Sequence, residues 1–203
     1  MSRLAEPENP KDQELGFLTP LVKVLLHALR FLSPIGFLDV RPTTTESYVL
    51  ACLLIEFIAA VNVTKIAGWG PLRWVVLLFA ALKILEIVRV TASVVLFDEG
   101  VVVSVERIFI LAAINFLELG LCFGLFYALH NQLLEPTPVG ALTGFYFSFI
   151  TQLTIGFGDV HPTGWLRIMA VIQGSTAALF VLLVFGKIVA SLRPLKTQND
   201  KPF

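Results

Sequence analysis

The sequence predicts an all-α membrane protein with four transmembrane helices and a shorter, re-entrant helix and loop between the third and fourth. Two observations lead there. Of the 203 residues, 56% are hydrophobic, more than a soluble domain with a solvated surface carries. These residues also gather into four stretches long enough to span a bilayer, with one shorter piece before the last. A third observation narrows the partners: 15 lysines and arginines offset 15 aspartates and glutamates, so no basic field points to nucleic acid and no acidic tail to a cationic partner.

Residues 1–47 read as an N-terminal cytoplasmic segment. Its first 14 residues are polar and mixed in charge, without the basic start, short apolar core and small-residue cleavage site of a signal peptide, so no removal is expected. Over 17–32, apolar residues alternate with Lys23, His27 and Arg30, whose spacings of four and three put them on one helical face. Two placements suit such a helix: in the headgroup plane as an amphipathic interfacial helix, or packed on the cytoplasmic ends of the spans.

The spans are expected at 48–67, 74–97, 108–129 and 165–190, each near the roughly 20 apolar residues a crossing needs. The first two, within 48–100, are peripheral helices; residues 101–192 form the next unit, and 193–203 a short cytoplasmic tail with no ligand-sensing module. Residues 139–153 make only about 20 Å of helix, too short to cross, and should enter and return. Arg3, Lys11, Lys23, Arg30 and Arg41 precede the first span, while Lys187, Arg193, Lys196 and Lys201 lie at or beyond the end of the last. Both termini should therefore be cytoplasmic in a multi-pass protein of the cell membrane. Cys52 and Cys122 sit inside apolar runs and read as small buried residues.

Irregular backbone at membrane depth is tolerated only where protein buries it or it lines a watery path. Here it reads Thr154-Ile155-Gly156-Phe157-Gly158-Asp159. A backbone whose carbonyls all turn to one axis can replace the water shell of a cation, and such a trace needs residues that accept positive φ, hence glycines at alternate positions. Thr154 can add its hydroxyl at the inner end. Thr137 suits the N-cap of the preceding helix and Pro138 its first position. The C-terminal end of that helix then brings partial negative charge toward the loop.

The motif TIGFGD, lying between two spans at the proper distance, resembles the filter of the pore-loop potassium channels, and the resemblance runs from about residue 108 to 192. It implies an outer helix, pore helix, selectivity filter and inner helix, with K+ as the permeant ion, no cofactor, and a homotetramer around one axis. By that resemblance Thr154, Ile155, Gly156, Phe157 and Gly158 supply the coordinating oxygens, with K+ held at Thr154, Ile155, Gly156 and Phe157. Phe157 stands where many relatives have tyrosine, a variant expected to keep potassium selectivity. Asp159 would sit just outside the filter, with Tyr146 of the pore helix as its hydroxyl donor. The sequence departs from the family twice. Leu153 replaces a threonine whose hydroxyl often supports the filter from behind, and Ile150 replaces a glutamate found in some members, so altered inactivation is expected.

On the last span, Gly174 and Gly186 suit either bending or close helix packing. Gln173 and Thr176 suit either a cavity-facing position or hydrogen bonds between helices. His161, close behind the filter, is placed for an external pH effect, although surface histidines commonly have none.

Ionisable residues also fall inside the peripheral and third spans. Glu56, Glu86, Arg89, Asn115 and Glu118 share a depth of about 12 to 17 Å from the cytoplasmic ends, with Lys83 somewhat deeper. Either they gate the peripheral helices against the pore, or they are paired charges that specify packing. Arg73, Lys83 and Arg89 are too sparse for a voltage sensor.

Two other functions are disfavoured. Gly-Phe-Gly-Asp also fits an intramembrane aspartyl protease, but the other aspartates, Asp12, Asp39, Asp98 and Asp200, lie outside the spans and leave no second aspartate to share a proton, so no enzyme is expected. A transporter of four linked pore-loop units needs internal repeats that 203 residues with one such loop do not contain.

Overall fold

The computed structural model describes residues 18–29, 42–97, 105–136 and 140–191. These residues are almost entirely helical. In chain order they form α1 (Leu18–Leu29), α2 (Pro42–Val61), α3 (Val63–Gly68), α4 (Gly70–Phe97) and α5 (Val105–Leu129). A 3-10 turn (Asn131–Leu133), strand β1 (Leu134–Glu135), α6 (Ala141–Gln152), strand β2 (His161–Pro162) and α7 (Leu166–Ser191) follow.

Among the described residues, Glu106–Leu129 and Leu166–Val189 are helices long and apolar enough to cross a membrane. With 12 residues, α6 extends only about 18 Å. The stretch expected as one span over 48–67 is divided at Asn62 into α2 and α3. Backbone bonds from Asn62 to Ile58 (3.1 Å) and from Ile66 to Asn62 (3.0 Å) bridge the joint. The Asn62 side-chain amide also donates to the Ile58 carbonyl at 2.9 Å, a local bond that competes with regular helix geometry.

The amphipathic helix α1 packs against α4. Val22 and Leu26 are half-buried, while Leu21, Val24 and Leu25 are exposed. Arg30, expected on its basic face, lies outside the described residues, as do Thr137 and Pro138. The helix they were expected to start begins instead at Ala141, with Gly140 at the cap and no side-chain capping bond.

The core centres on α5. Leu119, Phe123 and Tyr127 pack with Phe147 and Ile150 of α6 and with Leu166 and Phe180 of α7. On its other side, Cys122, Leu125 and Leu129 meet Val63 and Ile66 of α3, Leu77 of α4 and Phe145 of α6. The rings of Tyr127 and Phe147 meet edge to face with centroids 4.8 Å apart, an arrangement the aromatic quadrupole favours.

Small residues let α5 and α6 approach closely. The Phe149 ring lies over Gly120 and the Phe145 ring over Gly124, and a methyl group at Gly144 would collide with the backbone of Ala128. Two aromatic ridges four residues apart thus enter a groove made by two glycines four residues apart. This contact fixes α6 against the long helix and so fixes where its C-terminal end points.

Candidate functional site

Beyond Gln152 the chain turns back under the last turn of α6. The Leu153 amide donates to Phe149 (2.9 Å), Thr154 to Thr151 (3.1 Å), and both Ile155 (2.8 Å) and Gly156 (3.3 Å) to the Ile150 carbonyl. Four successive N–H groups are therefore committed to the end of the helix. Among the described residues, no backbone amide donates to a carbonyl of residues 154–158.

Alternate residues along this run have positive φ: Thr154 at 57°, Gly156 at 57° and Gly158 at 78°. Glycine adopts such angles at no steric cost, whereas a threonine there costs on the order of 1–2 kcal/mol. Alternation between left-handed and ordinary backbone turns successive peptide planes so that carbonyls which would face opposite sides of a strand share one side. Thr154 extends to an L-residue the pattern expected of the glycines alone.

Ile155 and Phe157 project from this run and are 48% and 68% exposed, with Leu153 at 53%. The Leu153 side chain has no polar group and therefore offers the run no hydrogen bond. Asp159, at the outer end, accepts a hydrogen bond of 2.7 Å from the Tyr146 hydroxyl on α6.

Behind the run lies a buried polar seam. Ser148 Oγ donates to the Gly120 carbonyl of α5 at 2.7 Å, and Gln152 Nε2 to the Phe116 carbonyl at 2.6 Å. From α7, Gln173 Nε2 reaches the Ser148 carbonyl (2.9 Å) and Oγ (2.8 Å), and stands 3.4 Å from Gln152 Oε1. Of the two placements open to Gln173, hydrogen bonding between helices is the one adopted; Thr176 is half-buried. A side chain added at Gly174 or Gly186 meets nothing within 4 Å in the single chain, so neither allows a close packing contact inside the chain.

The outer end is tied by the antiparallel pairing of β1 and β2, with Leu134 opposite Pro162 and Glu135 opposite His161. Thr163 donates to the Leu133 carbonyl twice, through its amide (2.7 Å) and its hydroxyl (2.9 Å). His161 Nε2 lies 3.2 Å from Glu135 Oε2, both side chains being about half exposed. His130, just past α5, meets the Phe126 carbonyl through Nδ1 at 2.8 Å and packs edge-on against Trp165. Burial, aided by nearby Arg73 and opposed by the Phe126 bond, lowers its pKa below the ordinary histidine value.

A second polar group joins α2, α4 and α5. Lys83 Nζ lies 3.4 Å from Glu118 and 3.8 Å from Glu86, and 4.8 Å from the centroid of the Tyr48 ring. Tyr48 donates to Glu86 at 2.8 Å. Glu56, fully buried, accepts from the Cys122 thiol at 3.3 Å. Arg89 is buried on α4, and Asn115, half-buried three residues before Glu118, shares no hydrogen bond with the group. Reasoning from sequence did not place Tyr48 or Cys122 in this group, because Tyr48 stands at the very start of the first span and Cys122 reads as a small apolar residue. An ion pair between Arg107 and Glu46 at 3.0 Å adds a further tie between α5 and α2.

The chain thus presents a glycine-alternated loop at the C-terminal end of a short helix buttressed by α5 and α7. Residues 115–193 match the family model described as ion channel. No curated protein and no solved structure matches the chain.

Proposed function

We propose that the chain is one subunit of a potassium-selective channel, and that four copies surround a single pore. The observation that carries this is the alternation of positive φ at Thr154, Gly156 and Gly158, combined with amides of residues 153–156 held by α6. The carbonyls of Thr154, Ile155, Gly156, Phe157 and Gly158 are then the side of the backbone left for an ion. In this reading K+ exchanges its water shell for those oxygens and moves passively; K+ is the permeant ion and no cofactor takes part.

Several features support a ring. One chain supplies carbonyls on one side only, and a closed fourfold arrangement completes the shell. Ile155, Phe157 and Leu153 are large and exposed in a single copy, and neighbouring copies would cover them. Four helix ends, each carrying about half a unit of negative partial charge, converge on the axis and favour a cation there.

In the same reading α2 with α3, α4, α5 and α7 are the four spans, α6 is re-entrant, and both termini are cytoplasmic in the cell membrane. Lipid contacts the exposed apolar faces, and α1 lies along the inner headgroup region. The group around Glu56, Lys83, Glu86 and Glu118 gates the peripheral helices against the pore or specifies their packing.

The test is the reversal potential of the purified protein in planar bilayers, with potassium on one side and sodium on the other. A value near the potassium equilibrium potential is expected. Single-channel current reversing near zero would overturn the selectivity reading, and Leu153 would then be the first position to examine.

A further inference from the structure

We propose that Gln173 is a positioning residue that couples the inner helix α7 to the filter through the last turns of α6, in place of support from the residue at Leu153. The inference rests on the filter reading above. It starts from what holds the filter amides: the carbonyls of Phe149, Ile150 and Thr151 accept from residues 153 to 156. These acceptors lie between Ser148 and Gln152 in the chain, so the placement of those two residues sets the placement of the filter backbone.

Ser148 and Gln152, one helical turn apart, are anchored to α5 through the Gly120 and Phe116 carbonyls. Gln173 approaches both from α7 with one amide nitrogen. All three side chains are buried: Ser148 and Gln173 have no exposed surface and Gln152 has 3%. The orientation of the Gln173 amide follows from chemistry, because the Ser148 carbonyl can only accept, so the nitrogen must face it. The Gln173 oxygen is then left buried without a donor. An apolar side chain would avoid that cost, yet this position holds an amide that spans two helices.

Hydrogen bonds are directional, so a shift or rotation of α7 at Gln173 either carries Ser148 and Gln152 with it or breaks these contacts. Apolar packing at the same place would let the helices slide. Leu153 makes no comparable bond because its side chain, 53% exposed, has no polar group. The backing of this filter therefore runs from α7 through side-chain amides to the carbonyls that hold the filter amides.

The experiment is single-channel recording of the full-length protein in bilayers, comparing wild type with Gln173→Leu, Ser148→Ala and the double variant, in high and low potassium and with rubidium as the permeant ion. Loss of the amide bonds is expected to shorten mean open time in low potassium by about tenfold. The change should shrink when rubidium or high potassium occupies the filter, and the double variant should be no worse than Gln173→Leu alone. A purely structural role would lower thermal stability and leave the dependence on permeant ion unchanged, which overturns the proposal, as do additive effects of the two single changes. If Gln173→Leu fails to assemble, Ser148→Ala alone decides, since it removes one hydroxyl from the same seam. Absence of potassium current in the wild type would instead defeat the channel reading, and the two failures are distinct.

Discussion

The Tyr146 hydroxyl donates to Asp159 Oδ2 across 2.7 Å, linking the middle of α6 to the residue just beyond the glycine-alternated run. It closes a bracket around that run: the inner end is held by backbone bonds to Ile150 and Thr151, the outer end by this side-chain bond. Because Ile150 offers no carboxyl group, Tyr146 supplies the bond to Asp159 without help from that position.

Tyr146→Phe removes the donor and keeps the ring. Current decay during sustained opening is expected to quicken by about three- to tenfold, the range a single net hydrogen bond represents. Macroscopic current recorded from reconstituted protein checks this, and an unchanged decay would remove Asp159 from filter support.

The closeness of α5 and α6 gives a second expectation. Gly144→Ala places a methyl group against the Ala128 backbone, which cannot rotate away as a side chain can. A loss of about 1–3 kcal/mol is expected from overpacking, visible as a lower unfolding temperature in detergent. Gly174→Ala, where nothing lies within 4 Å, is the control. Equal stability of the two variants would mean that the α5–α6 contact is looser than described.

Lys83 stands between Glu118 and Glu86 with 4% of its surface exposed. Lys83→Met leaves buried carboxylates without that ammonium and is expected to cost on the order of 3–5 kcal/mol. Glu118→Gln keeps shape and removes one charge, so it separates the two roles of the group. Altered open probability with normal assembly supports gating of the peripheral helices; unchanged open probability and assembly leaves only packing.

His130 gives a pH dependence whose sign follows from its surroundings. Its folded pKa is lowered, chiefly by burial, so the unfolded chain binds more protons as pH falls below the ordinary histidine value of 6.5. Its contribution is fully present above that value and declines as pH falls toward the lowered one. Unfolding temperature measured from pH 7.5 to 5 should therefore fall more steeply for wild type than for His130→Gln. Parallel curves would show that His130 carries no such linkage.

Much of this architecture was legible in the chain itself. The apolar run lengths located α4, α5, α6 and α7 to within a few residues, because desolvation of backbone forces long helices wherever apolar residues persist. The division at Asn62 was not legible, since it depends on a side-chain bond inside an otherwise apolar run. The start of α6 falls at Ala141, later than the capping preferences of Thr137 and Pro138 suggested, because such preferences are local tendencies that do not by themselves fix a helix end. The seam of Ser148, Gln152 and Gln173 was equally hidden: serine and glutamine in apolar stretches show that some partner exists, without saying which.

The sequence by itself determined the membrane class, the succession of helices and the TIGFGD run, because hydrophobic length and glycine's freedom at positive φ are properties of the residues present. Only the tertiary structure decided that the amides of residues 153–156 bond to the end of α6, that Thr154 shares the left-handed backbone of Gly156 and Gly158, that Glu86 and Glu118 converge on Lys83, and that Glu56 meets Cys122. The side-chain contacts among them join residues up to 66 positions apart, as Glu56 and Cys122 are. Distances of that kind depend on how helices pack, and the packing is set by shape complementarity such as Phe145 and Phe149 against Gly124 and Gly120.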